Sequence, residues 1–166
     1  NKTNPNRKWL IKHCQVWKNI YKKSLIEDTP FIKGILFEDF PWWSAVMLKN
    51  PRVTVVPLPL YYYIPNFGGI VLSAKQLKIM KSLCTGIKSA YKLYKDRADN
   101  EQMKKWQSQF MWYFVNWAFR KLKYLKTDAE IDEARNEFID MNKIGVFDDV
   151  PNEWYDLREK IYEFIK

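Results

Sequence analysis

Two adjacent carboxylates, Glu38 and Asp39, stand between an apolar run and a proline followed by two tryptophans in the stretch GILFEDFPWW, residues 34–43. A carboxylate held ionised beside large aromatic walls can accept the proton of a bound hydroxyl, the work of a general base. Trp42 and Trp43 would then offer apolar faces to a sugar or other acceptor, although core packing uses the same side chains. The pair also has a purely structural account. Pro41 suits the first turn of a helix, where its missing N–H costs nothing. PWWSAVMLKN would continue that helix to Asn50, just ahead of Pro51. Asp39 would fall at or just before the N-terminus, where unpaired N–H groups and the helix dipole favour a carboxylate. Taken by itself, the pair is explained by the helix start.

Other chemistry-bearing residues are sparse. His13 is the single histidine, which excludes a multi-histidine metal site and leaves no Ser-His-Asp triad that does not use it. It sits in a basic segment with no recognisable nucleophile before it, and reads as structural or exposed. Cys14 and Cys84 are too few for a disulfide framework or a cysteine-rich zinc site. Their neighbours, KHCQVW and KSLCTGI, suggest half-buried thiols in a reducing compartment.

The elements that must position the acidic pair divide the chain at about residue 72. In residues 1–72, RVTVVPLPLYYYI (52–64) is β-branched and aromatic and reads as extended. Pro57 and Pro59 would interrupt a central ladder, so an edge strand or two short kinked strands is the expectation. IPNFGG (64–69) reads as a loop with freedom at Gly68 and Gly69. From Ser73, a candidate cap, the pattern becomes helical. Leu77, Met80, Cys84, Ile87, Tyr91 and Tyr94 share one face. Met103, Trp106, Phe110, Tyr113, Trp117 and Tyr124 mark a second stripe. TDAE (127–130) is a capping box that opens a third helix along Ile131, Ala134, Phe138 and Met141. Trp154, Leu157, Ile161 and Phe164 line a last one. The expected fold is therefore α+β and predominantly helical: short strands and an acidic-pair helix in 1–72, then a bundle of about four helices in 73–166.

Charge and hydropathy limit the function classes. The net charge is +9, yet residues 1–26 carry no acid while residues 127–166 hold 12 Asp and Glu against 5 Lys and Arg. A basic surface of this kind suits nucleic acid, anionic lipid or a phosphorylated substrate, and equally a solvated lysine coat. No apolar run approaches bilayer length. The opening NKTNPNRKWL has neither a starting methionine nor a signal-peptide core, and the expectation is a piece of a longer protein. FMWYFVNWAFRKLKYLK (110–126) is aromatic on several faces with basic residues at its end. It reads as a helix buried between others, or as one lying in a membrane interface.

Three segments in order carry a family resemblance: VWKNIYKKSLIE, FIKGILFEDFPW and VTVVPLPLYYYIPNFGG. Together they resemble the C-terminal half of family-2 glycosyltransferases of the GT-A fold, over roughly residues 13 to 73. Trp17, Tyr21, Lys22 and Ser24 match a W-x-K-x-Y-K/R-x-S element, with Lys18 one position ahead of its lysine. Glu38 and Asp39 match the family's acidic pair, and Tyr61, Tyr62 and Tyr63 its tyrosine stretch. The departures are IPNFGG, which lacks the basic residue and Ser often found there, and the absence of an Asp-x-Asp on a strand.

The resemblance implies inverting transfer of a sugar from a nucleotide-sugar donor to an acceptor hydroxyl, in cell-surface polysaccharide, lipopolysaccharide or glycolipid synthesis. Asp39 would be the general base and Glu38 would orient the site or contact the acceptor. Trp42, Trp43 and Tyr63 are the candidate acceptor-binding residues, and the acceptor is a saccharide or lipid-linked. A divalent ion, Mn or Mg, and the donor would belong to the full-length enzyme; none is expected to be held by this chain alone, which should be inactive alone. The expected setting is the cytoplasm, with peripheral contact at the inner face of a membrane. The alternative is a basic, aromatic-rich helical module that binds a membrane surface or nucleic acid, although no nucleic-acid recognition motif is present.

Overall fold

The computed structural model describes residues 14–97 and 101–166. His13 lies outside the described residues. Short helices α1 (Lys23–Ile26) and α3 (Ile70–Ser73) flank the ten-residue α2 (Asp39–Leu48). Four longer helices follow: α4 (Gln76–Arg97), α5 (Glu101–Lys121), α6 (Asp128–Lys143) and α7 (Tyr155–Ile165).

The α+β expectation is corrected by the structure, because no strand occurs among the described residues. Residues 52–64 have the right side chains for a strand, but β-propensity records fit to a pleated, half-buried surface. A strand also needs a neighbour to exchange backbone hydrogen bonds with, and this segment has none among the described residues. Pro57 and Pro59 remove two donors besides. Most of the run lies exposed, from Val55 and Val56 through Leu58, Leu60 and the three tyrosines.

The core is aromatic and continuous across position 73. Phe40 of α2 stacks on Phe114 of α5 at 3.9 Å and tilts against Phe110 at 5.8 Å. Phe40, Trp43 and Met47 share one buried cluster with Met80, Leu83 and Ile87 of α4 and with Phe110 and Trp112 of α5. The close approach of α2 to α4 depends on Gly86, where a Cβ would stand 2.7 Å from Phe40 Cε1. α5 is buried along most of its length, at Met103, Trp106, Phe110, Met111, Trp112, Phe114, Val115 and Ala118, while Tyr113, Arg120 and the following Lys123 and Tyr124 are exposed.

Local signals explain the ends of α6. Thr127 Oγ1 accepts the Glu130 N–H at 3.2 Å, and Glu130 reaches back to the Lys126 N–H at 2.8 Å. At the other end Gly145 adopts φ +85 while the Val146 N–H bonds the Met141 carbonyl, the left-handed close that glycine permits. Ser73 is not the cap of α4. It closes α3, its hydroxyl donating to the carbonyls of Gly69 and Ile70. The loop after α6 is pinned to the bundle, since the Asp149 carbonyl accepts both Ser108 Oγ and Trp112 Nε1 at 2.9 Å.

Candidate functional site

Asp39 is the first residue of α2, behind Glu38 at the cap position, and Pro41 completes the first turn. The carboxylate does not bond its own helix N–H groups. Its Oδ2 accepts the backbone N–H of Val16 at 3.4 Å. Burial raises the Asp39 carboxyl above the usual carboxylate range, against the Val16 hydrogen bond, and the Glu38 charge adds to the rise. Asp39 is thus half-buried, a stronger base than a free aspartate, and tied to the segment that carries Trp17.

Trp17 joins that segment to the tyrosine stretch. Its ring stacks on Tyr61 at 4.7 Å and on Tyr63 at 5.1 Å. Tyr63 keeps 62% of its surface open, so one wall of the site is available to a ligand. The Trp17 segment therefore touches both of the other elements, Asp39 through the Val16 N–H and the tyrosine stretch through the Trp17 ring. Cys14 and Tyr21 stand close enough to feel the Asp39 charge. Burial pushes the Tyr21 hydroxyl up to about 12 and the Cys14 thiol up to about 11, with Asp39 adding to each.

Trp42 and Trp43 are placed differently from the acceptor-facing role. They are 4% and 3% exposed. Phe31 stacks on Trp42 at 4.9 Å, Tyr21 meets it edge-on at 5.0 Å, and its indole N–H donates to the Thr29 carbonyl at 2.7 Å. Trp43 joins the core cluster. Neither presents a face to solvent, because the apolar surroundings of α2 close around both. Lys49 fastens the same turn from behind, donating to the Leu25 carbonyl and Thr29 Oγ1 at 2.7 Å each and pairing with Asp28.

One backbone feature adjoins the acidic pair. Phe37 has φ +61, a left-handed conformation uncommon for a large side chain. Its ring packs against Trp117 of α5 at 4.6 Å. The contact over-determines the strained turn, as strain retained at a site requires. It also links the pair to a groove at the end of α5 that sequence reasoning did not single out. The available signal was the basic end of the aromatic helix, FRKLKY.

Among the described residues no group of three or more His, Cys, Asp or Glu could hold a metal ion. Among the described residues no helix is long and apolar enough to cross a membrane. No family model, curated protein or solved structure matches the chain.

Proposed function

We propose that this chain supplies the acceptor side of an inverting glycosyltransferase, with Asp39 as the general base. The observation that supports the reading is a run of contacts through the Trp17 segment, whose Val16 N–H bonds Asp39 and whose Trp17 ring stacks on Tyr61 and Tyr63.

In the proposed reaction the acceptor hydroxyl donates its proton to Asp39 as its oxygen attacks the anomeric carbon. The bond from that carbon to the donor diphosphate breaks on the opposite face, and the nucleoside diphosphate leaves with the bonding electrons. The raised pKa strengthens Asp39 as a base, provided it is ionised at the working pH. Tyr63, open on one side, would contact the acceptor ring. Glu38 would orient the acceptor beside it. Trp42 and Trp43 act indirectly, by fixing the start of α2. The donor half of the site and any divalent ion belong, on this reading, to other residues of the natural polypeptide, at the cytoplasmic face of a membrane.

The test is sugar transfer by the natural polypeptide that carries this chain, assayed over a panel of nucleotide sugars and hydroxyl acceptors. Asp39→Asn should lower turnover on the order of 10²- to 10⁴-fold, the usual contribution of a general base, with the helical circular dichroism unchanged. Turnover retained in that variant would remove Asp39 from the chemistry.

A further inference from the structure

The end of α5 and the turn after it, Leu122–Tyr124, form an open groove of about 290 Å³. Its walls are the aromatic side chains of Tyr113, Trp117 and Tyr124, its rim is Arg120, Lys121 and Lys123, and Asn116 adds an amide. No acidic residue lines it. Among the described residues none of its three cations forms an ion pair. Lys123 lies over the Tyr124 ring at 4.7 Å, and Lys121 over the Tyr124 and Trp117 rings at 5.6 and 6.0 Å. The Lys123 hydrogen bond, then the charges of Lys123, Lys121 and Arg120, hold the Tyr124 hydroxyl below its ordinary value.

Basic residues at a helix C-terminus have an ordinary use, which is to complement the dipole. That use accounts for Arg120 and Lys121, which lie in the last turn of α5. It does not account for aromatic walls on a groove without a carboxylate. A dipole of about half a charge is also outweighed by three cations. The larger groove elsewhere, about 540 Å³, differs in kind, because Asp148, Asp149 and Glu153 there face Lys104, Lys105 and Arg158. Of these two grooves, the one at α5 is lined by charges of a single sign.

Its position gives it a partner in function. Trp117 packs on Phe37, the residue before Glu38 and Asp39. We propose that this groove binds a phosphate group on a hydroxylated molecule, and so selects a phosphorylated acceptor for the Asp39 site. Arg120 offers forked donors to phosphate oxygens, the two lysines add point charge, and Asn116 with the tyrosine hydroxyls suits a polyol or sugar next to it. The role as acceptor subsite rests on the transferase reading; the phosphate site itself does not. The same phosphate chemistry is found on a soluble phosphosaccharide and on a lipid headgroup.

The test uses the whole chain and two probes, glycerol 3-phosphate by calorimetry and vesicles of phosphatidylglycerol with phosphatidylcholine by sedimentation. The comparison is the double variant R120Q/K123Q, which changes two exposed side chains. Saturable binding of glycerol 3-phosphate, weakened at least about tenfold in the variant as expected for lost charge-assisted bonds, supports the site and a soluble source. Binding only to the vesicles, lost in the variant, supports the site and assigns the lipid source. No binding to either probe, or binding undiminished in the variant, overturns it. Displacement by equimolar sulfate overturns the phosphorylated-polyol assignment. Phosphate binding that persists where Asp39→Asn leaves transfer intact would retain the groove and remove Asp39 from the chemistry. Failure of binding alongside lost transfer would do the reverse.

Discussion

The Asp39 carboxylate accepts the backbone N–H of Val16 at 3.4 Å, across 23 residues of sequence. One hydrogen bond thus holds the Trp17 segment against the start of α2. The bond favours the ionised carboxylate, yet burial outweighs it and leaves the pKa raised from 3.8.

The sign of that shift predicts a pH dependence. The folded state holds the Asp39 proton more tightly than the unfolded chain does, so this contribution to stability is fully present below the unfolded value, near 3.8. It is lost as pH rises through the higher folded value, and stays lost above it. Asp39→Asn keeps an oxygen acceptor for Val16 and removes the titration. In urea unfolding between pH 3.5 and 7, wild-type stability relative to Asp39→Asn should fall across that window. A difference that rises with pH would show that Asp39 is stabilised as the anion instead.

Gly86 sets how closely α2 and α4 pack. An added Cβ would meet Phe40 Cε1 at 2.7 Å and Cδ1 at 3.1 Å. Phe40 is 1% exposed and stacked on Phe114. Overpacking of this kind costs about 1–3 kcal/mol, against about 1 kcal/mol gained when alanine replaces glycine in a helix. Gly86→Ala should therefore lose up to about 2 kcal/mol by chemical denaturation. A gain in stability would mean that α2 can shift away from α4 without cost.

Ser44 and Gln107 form a buried polar pair between α2 and α5. Ser44 Oγ donates to Gln107 Oε1 at 2.6 Å, and Gln107 Nε2 donates to the Ser44 carbonyl at 3.3 Å. Removing one partner strands the other, at about 1–3 kcal/mol. Gln107→Leu and Ser44→Ala should each destabilise, and the double variant should cost less than their sum by about 1 kcal/mol. Strict additivity in a double-mutant cycle would deny the coupling.

The long helices were legible because their apolar residues recur at helical spacing, and Thr127 with Glu130 marked a start that local chemistry alone determines. Trp42 and Trp43 were not, since an aromatic pair opening a helix has the same pattern whether it meets a ligand or Phe31 and Tyr21. The segment 52–64 misled because a strand belongs to a pair of segments, while propensity belongs to one. Asp39 was recognisable as a carboxylate at a helix start, but its bond to Val16 is set by tertiary approach and leaves no trace in spacing. The groove at α5 combines residues of one helix with the following turn. FRKLKY showed its cations, and only the fold showed that they have no ion pair among the described residues and that Trp117 of the groove packs on Phe37.

Cys14 offers a chemical probe of the same corner. Burial pushes its thiol up to about 11, the Asp39 charge adds to the rise, and Lys18 opposes it. At pH 8 only about one thiol in a thousand would then be thiolate, the form that reacts with disulfide reagents. Reaction of the folded chain with Ellman's reagent should be slow, and urea should release both Cys14 and Cys84, which is also buried. Because burial is the larger cause, Asp39→Asn should quicken Cys14 only modestly. A rate approaching that of the unfolded chain in this variant would show that Asp39, by charge or by its hold on Val16, is what keeps the Cys14 segment closed.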